Sequence, residues 1–396
     1  MAWKSASAVA IISAGTLLAA SSVQSANVDQ AFQQLEDNPF ASFSFSQDVT
    51  YDDEAVIDNR STLDIEGTFT AEEEFDVEDR SNFNVSGNAL FEDDLRVLGQ
   101  SEFSIGDTLT LEDELDIGKF SAIHVEGSGE FDEINAEEFS ELRIGSTALF
   151  TEEISFANRS MLDISDDAVF DDEVTFEAMN TFHVDGTAEF DEEMSGEKNL
   201  EMNITDETRF HEDVKFGVNT DFHIEEDVDF DDELKVKDNS HLTIDGATTI
   251  GNELEVKPKS DLYFNGRTDF GNEVKLEAAS TMDVEGDADF ANEVAFKDAT
   301  DVTIDGDADF ANETEFGPNS SLIIWGDADF ANEILVKPGT EIIVLGDADF
   351  GDSMDLPHAA DFYVCGDASG PASSQTTDCD AEDVDEETVD IVAELE

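Results

Sequence analysis

Basic side chains are scarce in this sequence. Its 396 residues hold 18 Lys and Arg against 100 Asp and Glu, a formal net charge of -82. Nucleic acid and anionic lipid headgroups, both densely charged polyanions, are very poor partners for such a chain. Cations, mineral surfaces, basic polymers or like subunits remain. Cysteine is scarcer still, with only Cys365 and Cys379. Two thiols alone do not make a metal site. In an exported chain they are expected to form one disulfide worth roughly 3 kcal/mol near the C-terminus. Long apolar runs are also lacking, apart from residues 8–20. That run follows a short start containing Lys4 and precedes small residues up to Ala26, so residues 1–26 read as a secretory signal cut near Ser25 or Ala26. No second run follows. The mature protein is expected to have no membrane span and to be soluble outside the cytoplasm, secreted or at the cell surface.

Histidines are few and scattered. His124, His183 and His223 share one outward slot but never on neighbouring coils, and no nucleophile–histidine arrangement can be built. Carboxylate pairs of the glycosidase kind occur everywhere on such a chain, so they mark no particular place. A catalytic acid needs a desolvated cleft, and short uniform corners offer none. The chain is expected not to be an enzyme.

Phenylalanine is abundant: 31 residues, too regularly placed for a disordered polyanion. Phe150, Phe170, Phe190, Phe210 and Phe230 are followed by Ile250, then by Phe270, Phe290, Phe310, Phe330 and Phe350. Phe131, Leu111, Phe91, Ala71 and Tyr51 continue the series backwards, with one 19-residue step between Phe131 and Phe150. A fixed period of this size means a solenoid. Within a coil the apolar residues alternate in three runs, as in Val302 and Ile304, Ala308 and Phe310, Thr314 and Phe316. That is strand spacing. The expected fold is all-β: a parallel β-solenoid of three-sided coils, counted as 17 from Phe45 to Val364 and roughly 80 Å long at about 4.8 Å per coil.

The corners read as turn chemistry. Gly67, Gly87, Gly186, Gly246, Gly266, Gly286, Gly306, Gly326 and Gly346 mark one corner, where positive φ is expected. Asn252, Asn272, Asn292, Asn312 and Asn332 mark a second, suited to left-handed conformations and to hydrogen bonds along the stack. Ser240, Ser260, Ser280, Thr300, Ser320 and Thr340 mark the third. Open ends would invite polymerisation. Residues 27–42 are expected to cap one end, with Val28, Phe32 and Leu35 on one helical face. The solenoid takes residues 43–366. The Cys365–Cys379 disulfide and the acidic tail, 367–396, with Ile391, Val392 and Leu395, are expected to cover the other end.

Two sets of outward carboxylates recur at the coil period. One slot holds Glu54, Glu74, Asp94, Glu114, Glu153, Glu173, Glu193, Asp213, Glu233, Glu253, Glu273, Glu293, Glu313 and Glu333. The other, in the C-terminal half, holds Asp287 and Asp289, Asp307 and Asp309, Asp327 and Asp329, continuing to Asp347 and Asp349. Unit charges about 4.8 Å apart repel by roughly 0.9 kcal/mol in bulk water, and a Debye length of about 8 Å screens neighbours only partly. Over a dozen rungs this competes with the ~5–15 kcal/mol stability of a typical domain. Condensed cations are therefore expected: Ca²⁺ or another divalent ion held by hard oxygen ligands with Kd of roughly 0.1–1 mM, or high salt. A third role for the Glu slot is to accept hydrogen bonds from turn amides.

The Val284-Glu285-Gly286 and Ile304-Asp305-Gly306 corners, with their stacked apolar triplets, are similar to those of the polymer-forming bactofilins across about residues 43–366. The resemblance implies a β-solenoid and self-assembly. Bactofilins act on the cytoplasmic side, whereas this chain carries an export signal and candidate caps. Pectate-lyase-like β-helix enzymes share the architecture class, but their sites depend on long loops missing here. The expected function is that of a secreted structural or surface protein, an acidic solenoid that binds divalent cations or is adapted to salt. An adhesin or extracellular filament subunit is the alternative.

Overall fold

The computed structural model describes residues 28–379. The secretory-signal reading and the residues Ile391, Val392 and Leu395 lie outside them. The chain divides into two compact units, Met1–Glu207 and Thr208–Glu396, and each repeats the same coil. A representative coil runs through strands Asp301–Ile304, Ala308–Phe310 and Thr314–Phe316. Alternate residues of each strand are buried because successive side chains leave a strand on opposite faces. Each strand pairs in parallel with its counterpart one coil on, as Phe290↔Phe310 and Phe310↔Phe330. The fold is an all-β parallel solenoid with about 16 turns, one fewer than the sequence count. The last first-side strand, Asp361–Val364, is followed only by Ala368–Ser369 and a 3₁₀ turn, Ser373–Gln375. That final coil has no third side.

Inside, the Phe column stacks ring on ring. In the first unit Phe150–Phe170 and Phe170–Phe190 centroids are 4.8 and 4.6 Å apart. In the second, Phe270–Phe290, Phe290–Phe310 and Phe310–Phe330 are 4.7, 4.7 and 4.8 Å apart and nearly parallel. A few core positions break the apolar rule, Thr208, Thr248, Thr268 and Thr314 among them. Thr314 lies in register between Val294 and Ile334, and its buried Oγ1 has no hydrogen-bond partner. Replacing it by the isosteric Thr314→Val removes an unsatisfied hydroxyl. Urea denaturation is expected to show a gain of about 1 kcal/mol.

The 19-residue coil keeps its strands in register by shortening one corner. Leu109 pairs with Gly129 at the usual interval, whereas Leu115 pairs with Ile134 and Gly129 with Ala148. The missing residue is therefore taken from the Asp132-Glu133 corner. Glu133 is this coil's member of the Glu series, its carbonyl accepting from Leu115 N–H at 2.9 Å. The sequence series had passed it over.

The glycine row does not serve positive φ. None of its members has φ in the left-handed region. A Cβ on Gly306 would instead meet the Asp287 main-chain N and the Gly286 carbonyl carbon at 2.6 Å, so the row lets successive coils approach. Nor are the corner asparagines left-handed. They form an amide ladder, Asn272 Nδ2 donating to Asn252 Oδ1 at 2.7 Å and Asn312 to Asn292 at 2.8 Å. Left-handed backbone falls at the third corner, just before the Ser/Thr row. That row is buried. Ser240 and Ser260 donate to the Gly217 and Lys237 carbonyls, both at 2.8 Å.

Both termini of the described chain are covered. Helix α1 (Val28–Asp37) buries Val28, Ala31, Phe32 and Leu35, and Phe32 packs 4.2 Å from Tyr51 and 5.8 Å from Phe75. At the other terminus Thr377–Asp378 pairs with the strand holding Val364, and Cys365 is bonded to Cys379.

Candidate functional site: the carboxylate columns

In the second unit the Gly-Asp-Ala-Asp-Phe motif places two aspartates per coil on the second side. Phe290, Phe310 and Phe330 point inward, so Asp289, Asp309 and Asp329 are forced outward and stand in register on neighbouring strands. Asp349 extends the column. The corner column is more constrained. The Asp307 N–H donates to Asp287 Oδ1 at 2.9 Å, and Asp327, Asp347 and Asp367 each donate to the preceding aspartate at 2.7 Å. The glycine before each aspartate permits that approach. One oxygen of each corner carboxylate is committed to the stack, and the other lies outside these bonds.

Together the columns line a shallow groove of about 600 Å³ that includes Ala308, Ala328 and Ala348. Six of the sequence-derived residues, Asp287, Asp289, Asp307, Asp309, Asp327 and Asp329, meet there with Asp347, Asp349 and Asp367. Asp367 had not been recognised. It follows Gly366 as the others follow their glycines, but Ser369 then stands where the repeat has Asp and no Phe follows. Arg267 closes one end, its Nε 2.9 Å from Asp269 Oδ1 and its Nη2 paired with Asp289. Burial raises the Asp309 carboxyl, with repulsion from Asp329 and Asp289 acting the same way. Burial also raises Asp289, against the pull of Arg267.

The Glu series is placed differently. In the first unit Glu153, Glu173 and Glu193 occur one per coil, their carbonyls accepting from Ile134, Ile154 and Val174 N–H at 3.1, 3.0 and 3.0 Å. Glu233, Glu253, Glu273, Glu293, Glu313 and Glu333 do the same in the second unit. The turn-amide acceptor is the residue before the glutamate: Asp172 takes the Glu173 N–H at 2.7 Å, and Asn312 takes that of Glu313 at 2.9 Å. A side chain preceding an amide reaches back to it more readily than the glutamate's own longer chain does. Repulsion along the series is real at Glu253, raised by burial and then by Glu273 and Glu233.

Lysines answer part of it. Lys235 Nζ lies 2.6 Å from Glu233 and 3.2 Å from Glu255, and Lys275 lies 3.1 Å from Glu277. Lys235, Glu255 and Lys275 alternate in sign on paired strands. Burial opposes the Glu255 charge, but hydrogen bonds from Lys257 and Lys235 bring its carboxyl down to about 2. Asp213 has Lys215 at 3.2 Å. The second unit's third face is thus partly neutralised, and the Asp groove is the barer surface.

In the first unit Asp93, Asp94 and Asp113 offer carboxylate oxygens within 4.8 Å of one another; of the three, Asp94 belongs to the Glu slot read from the sequence. Nearby, Arg96 donates to the Asp76 carboxylate from Nε and Nη2 at 2.7 and 2.8 Å and also pairs with Glu74. Asp76 is 8% exposed. Burial, followed by repulsion from Glu78, Asp116, Asp94 and Glu54, pushes its carboxyl up to about 6. Arg96→Met leaves these acids unanswered and is expected to lower stability at pH 7 by about 2 kcal/mol, less than for a fully buried pair. In urea titrations the loss should shrink at pH 5, where Asp76 takes up a proton.

His183 pairs with Asp185 at 2.7 Å and His223 with Asp245 at 3.1 Å. Among the described residues no helix is long and apolar enough to cross a membrane. Comparison with protein-family models, with curated proteins and with solved structures gives no match to any of them.

Proposed function

We propose that this chain is a non-enzymatic structural or surface protein of the extracellular space whose aspartate columns bind divalent cations, Ca²⁺ foremost. The observation that carries this reading is the second-unit groove, where carboxylates from successive coils face one another without interposed lysines. Hard oxygen ligands in exposed, adaptable positions suit Ca²⁺. An ion bridging two rungs would remove the repulsion that raises Asp309. The uniform corners support a non-catalytic role, since they wall no enclosed cleft. The covered termini favour a discrete molecule over an end-to-end filament.

The test is a thermal melt with added CaCl₂ at fixed ionic strength. At Kd of roughly 0.1–1 mM, about 10 mM Ca²⁺ should add about 1.4–2.7 kcal/mol per site. Asp309→Asn with Asp329→Asn should remove part of the gain. Equal stabilisation by NaCl would assign the acids to salt adaptation and defeat the proposal.

A further inference from the structure

The first unit carries a surface of the opposite character. One corner row there reads Phe40, Arg60, Arg80, Gln100, Phe120, Phe139, Arg159 and Met179, all with φ between 62 and 70°. In the second unit the same corner holds Asn219, Asn239, Lys259, Ala279, Ala299, Asn319 and Gly339, also left-handed. Asn and Gly are the residues that ease this conformation, whereas Phe, Arg and Met strain it. Backbone need therefore explains Asn219, Asn239, Asn319 and Gly339, and Asn199 at the end of the first unit's row, but none of the eight first-unit residues from Phe40 to Met179. Strained bulky residues of this kind cluster where side chains meet a ligand.

The first five side chains of the first-unit row, Phe40 to Phe120, line a trough of about 770 Å³. Phe40 and Phe120 bound it, 60% and 50% exposed, four coils or roughly 19 Å apart. Arg60, Arg80, Lys119 and the Gln100 amide lie between. Arg60 sits 5.7 Å over the Phe40 ring, Lys119 sits 5.6 Å over Phe120, and Arg80 Nε donates to Gln100 Oε1 at 3.0 Å. Lys119 also pairs with Glu138. Three cations against one acid, Asp79, line the trough, on a chain whose net charge is -82.

We propose that this trough binds an extended acidic polysaccharide. Phe139 covers one face of Phe120 at 4.8 Å and Arg60 lies over Phe40, so the half-exposed rings offer apolar surface at the two ends of the trough, and the guanidinium groups between them fork onto carboxylate or sulfate. An acidic peptide is a poorer fit, because strand-like peptides dock through main-chain hydrogen bonds and the corner amides are already used. Phe40, Arg60 and Arg80 N–H donate to the Asn59, Asp79 and Gly99 carbonyls at 3.0, 3.2 and 3.1 Å. Single-stranded nucleic acid also stacks on rings, but its denser charge is repelled more strongly by the surrounding carboxylates.

The experiment is fluorescence anisotropy of a labelled oligogalacturonate titrated with the full chain, in EDTA so that cation bridging to the aspartate columns plays no part. Binding that weakens with added salt is expected. Arg60→Asn with Arg80→Asn, and separately Phe120→Asn, should each weaken it by roughly tenfold or more. Because Asn is what the second unit uses at this corner, the variants should melt no lower than the parent. No anisotropy change, unchanged binding by the variants, or variants that melt well below the parent would overturn the proposal. Tighter binding of an oligothymidylate, or of a peptide of residues 380–396, would overturn it in favour of that partner.

Discussion

Acidifying this protein from pH 7 to pH 5 at low ionic strength should raise its unfolding free energy by about 1 kcal/mol, opposite to ordinary acid denaturation. Most of the carboxylates displaced by their surroundings are displaced upward. Burial raises Glu253, Asp283, Asp301, Asp305 and Asp309, and it raises Asp76 to about 6. A group whose folded pKa is raised binds protons more readily folded than unfolded. Its contribution is complete below the unfolded value of about 4 and is lost as pH rises through the folded value. Descending from pH 7 therefore recovers stability. The opposing set is smaller. Glu255, held at about 2 by its lysines, and Glu315, lowered by Lys297 and Lys337 against burial, contribute above the unfolded value and lose their contribution as pH falls below it. The two sets together put the maximum near pH 4.5–5. Urea titrations at pH 7, 6 and 5 check this, and a stability that falls steadily over that range would refute it. Ca²⁺ should act on the same repulsion, so its stabilising effect should shrink at pH 5.

The fold was legible because its strongest signal, Phe at every twentieth residue, is also its strongest packing interaction. A residue needed in a stack recurs at the period of the stack. Features set by distance were less visible. Glycine in Gly286, Gly306 and Gly326 names a small residue without saying whether φ or a neighbouring main chain demands it, and the structure gives the second answer. Glu133 was hidden by a corner one residue short, which shifts numbering without disturbing any strand. The Asp columns were visible as a pattern, but their division of labour was not. Only the stack shows that Asp307 and Asp327 each hold the next coil's amide, while Asp309 and Asp329 are left to face solvent and each other. The trough beside Phe40 and Phe120 was the least legible. Its row changes from Phe to Arg to Gln, so no single residue type repeats. What marks it is bulky side chains placed on a left-handed corner, a conformation that sequence does not display.

The Phe column also makes the largest single-residue prediction. Phe310→Ala should cost about 3–5 kcal/mol, the range for deleting a buried aromatic. The ring is fully buried and stacked on both sides, 4.7 Å from Phe290 and 4.8 Å from Phe330, so its loss opens a cavity that two stacks border. Collapse is resisted because the neighbouring strands are fixed in register through Ala288↔Ala308 and Ala308↔Ala328. Phe310→Leu should cost much less, about 1–2 kcal/mol, because it keeps most of the volume and a branched aliphatic already serves at Ile250 in the same column. Stability in a coil array is approximately a sum of local coil and interface contributions. Hydrogen exchange should therefore show protection lost first in the coils holding Phe290, Phe310 and Phe330, with the amides around Phe230 and Ile250 little changed. A uniform loss across the second unit would mean that its coils unfold as one cooperative block, and the Asp columns would then share that block's stability instead of depending on their own neighbours.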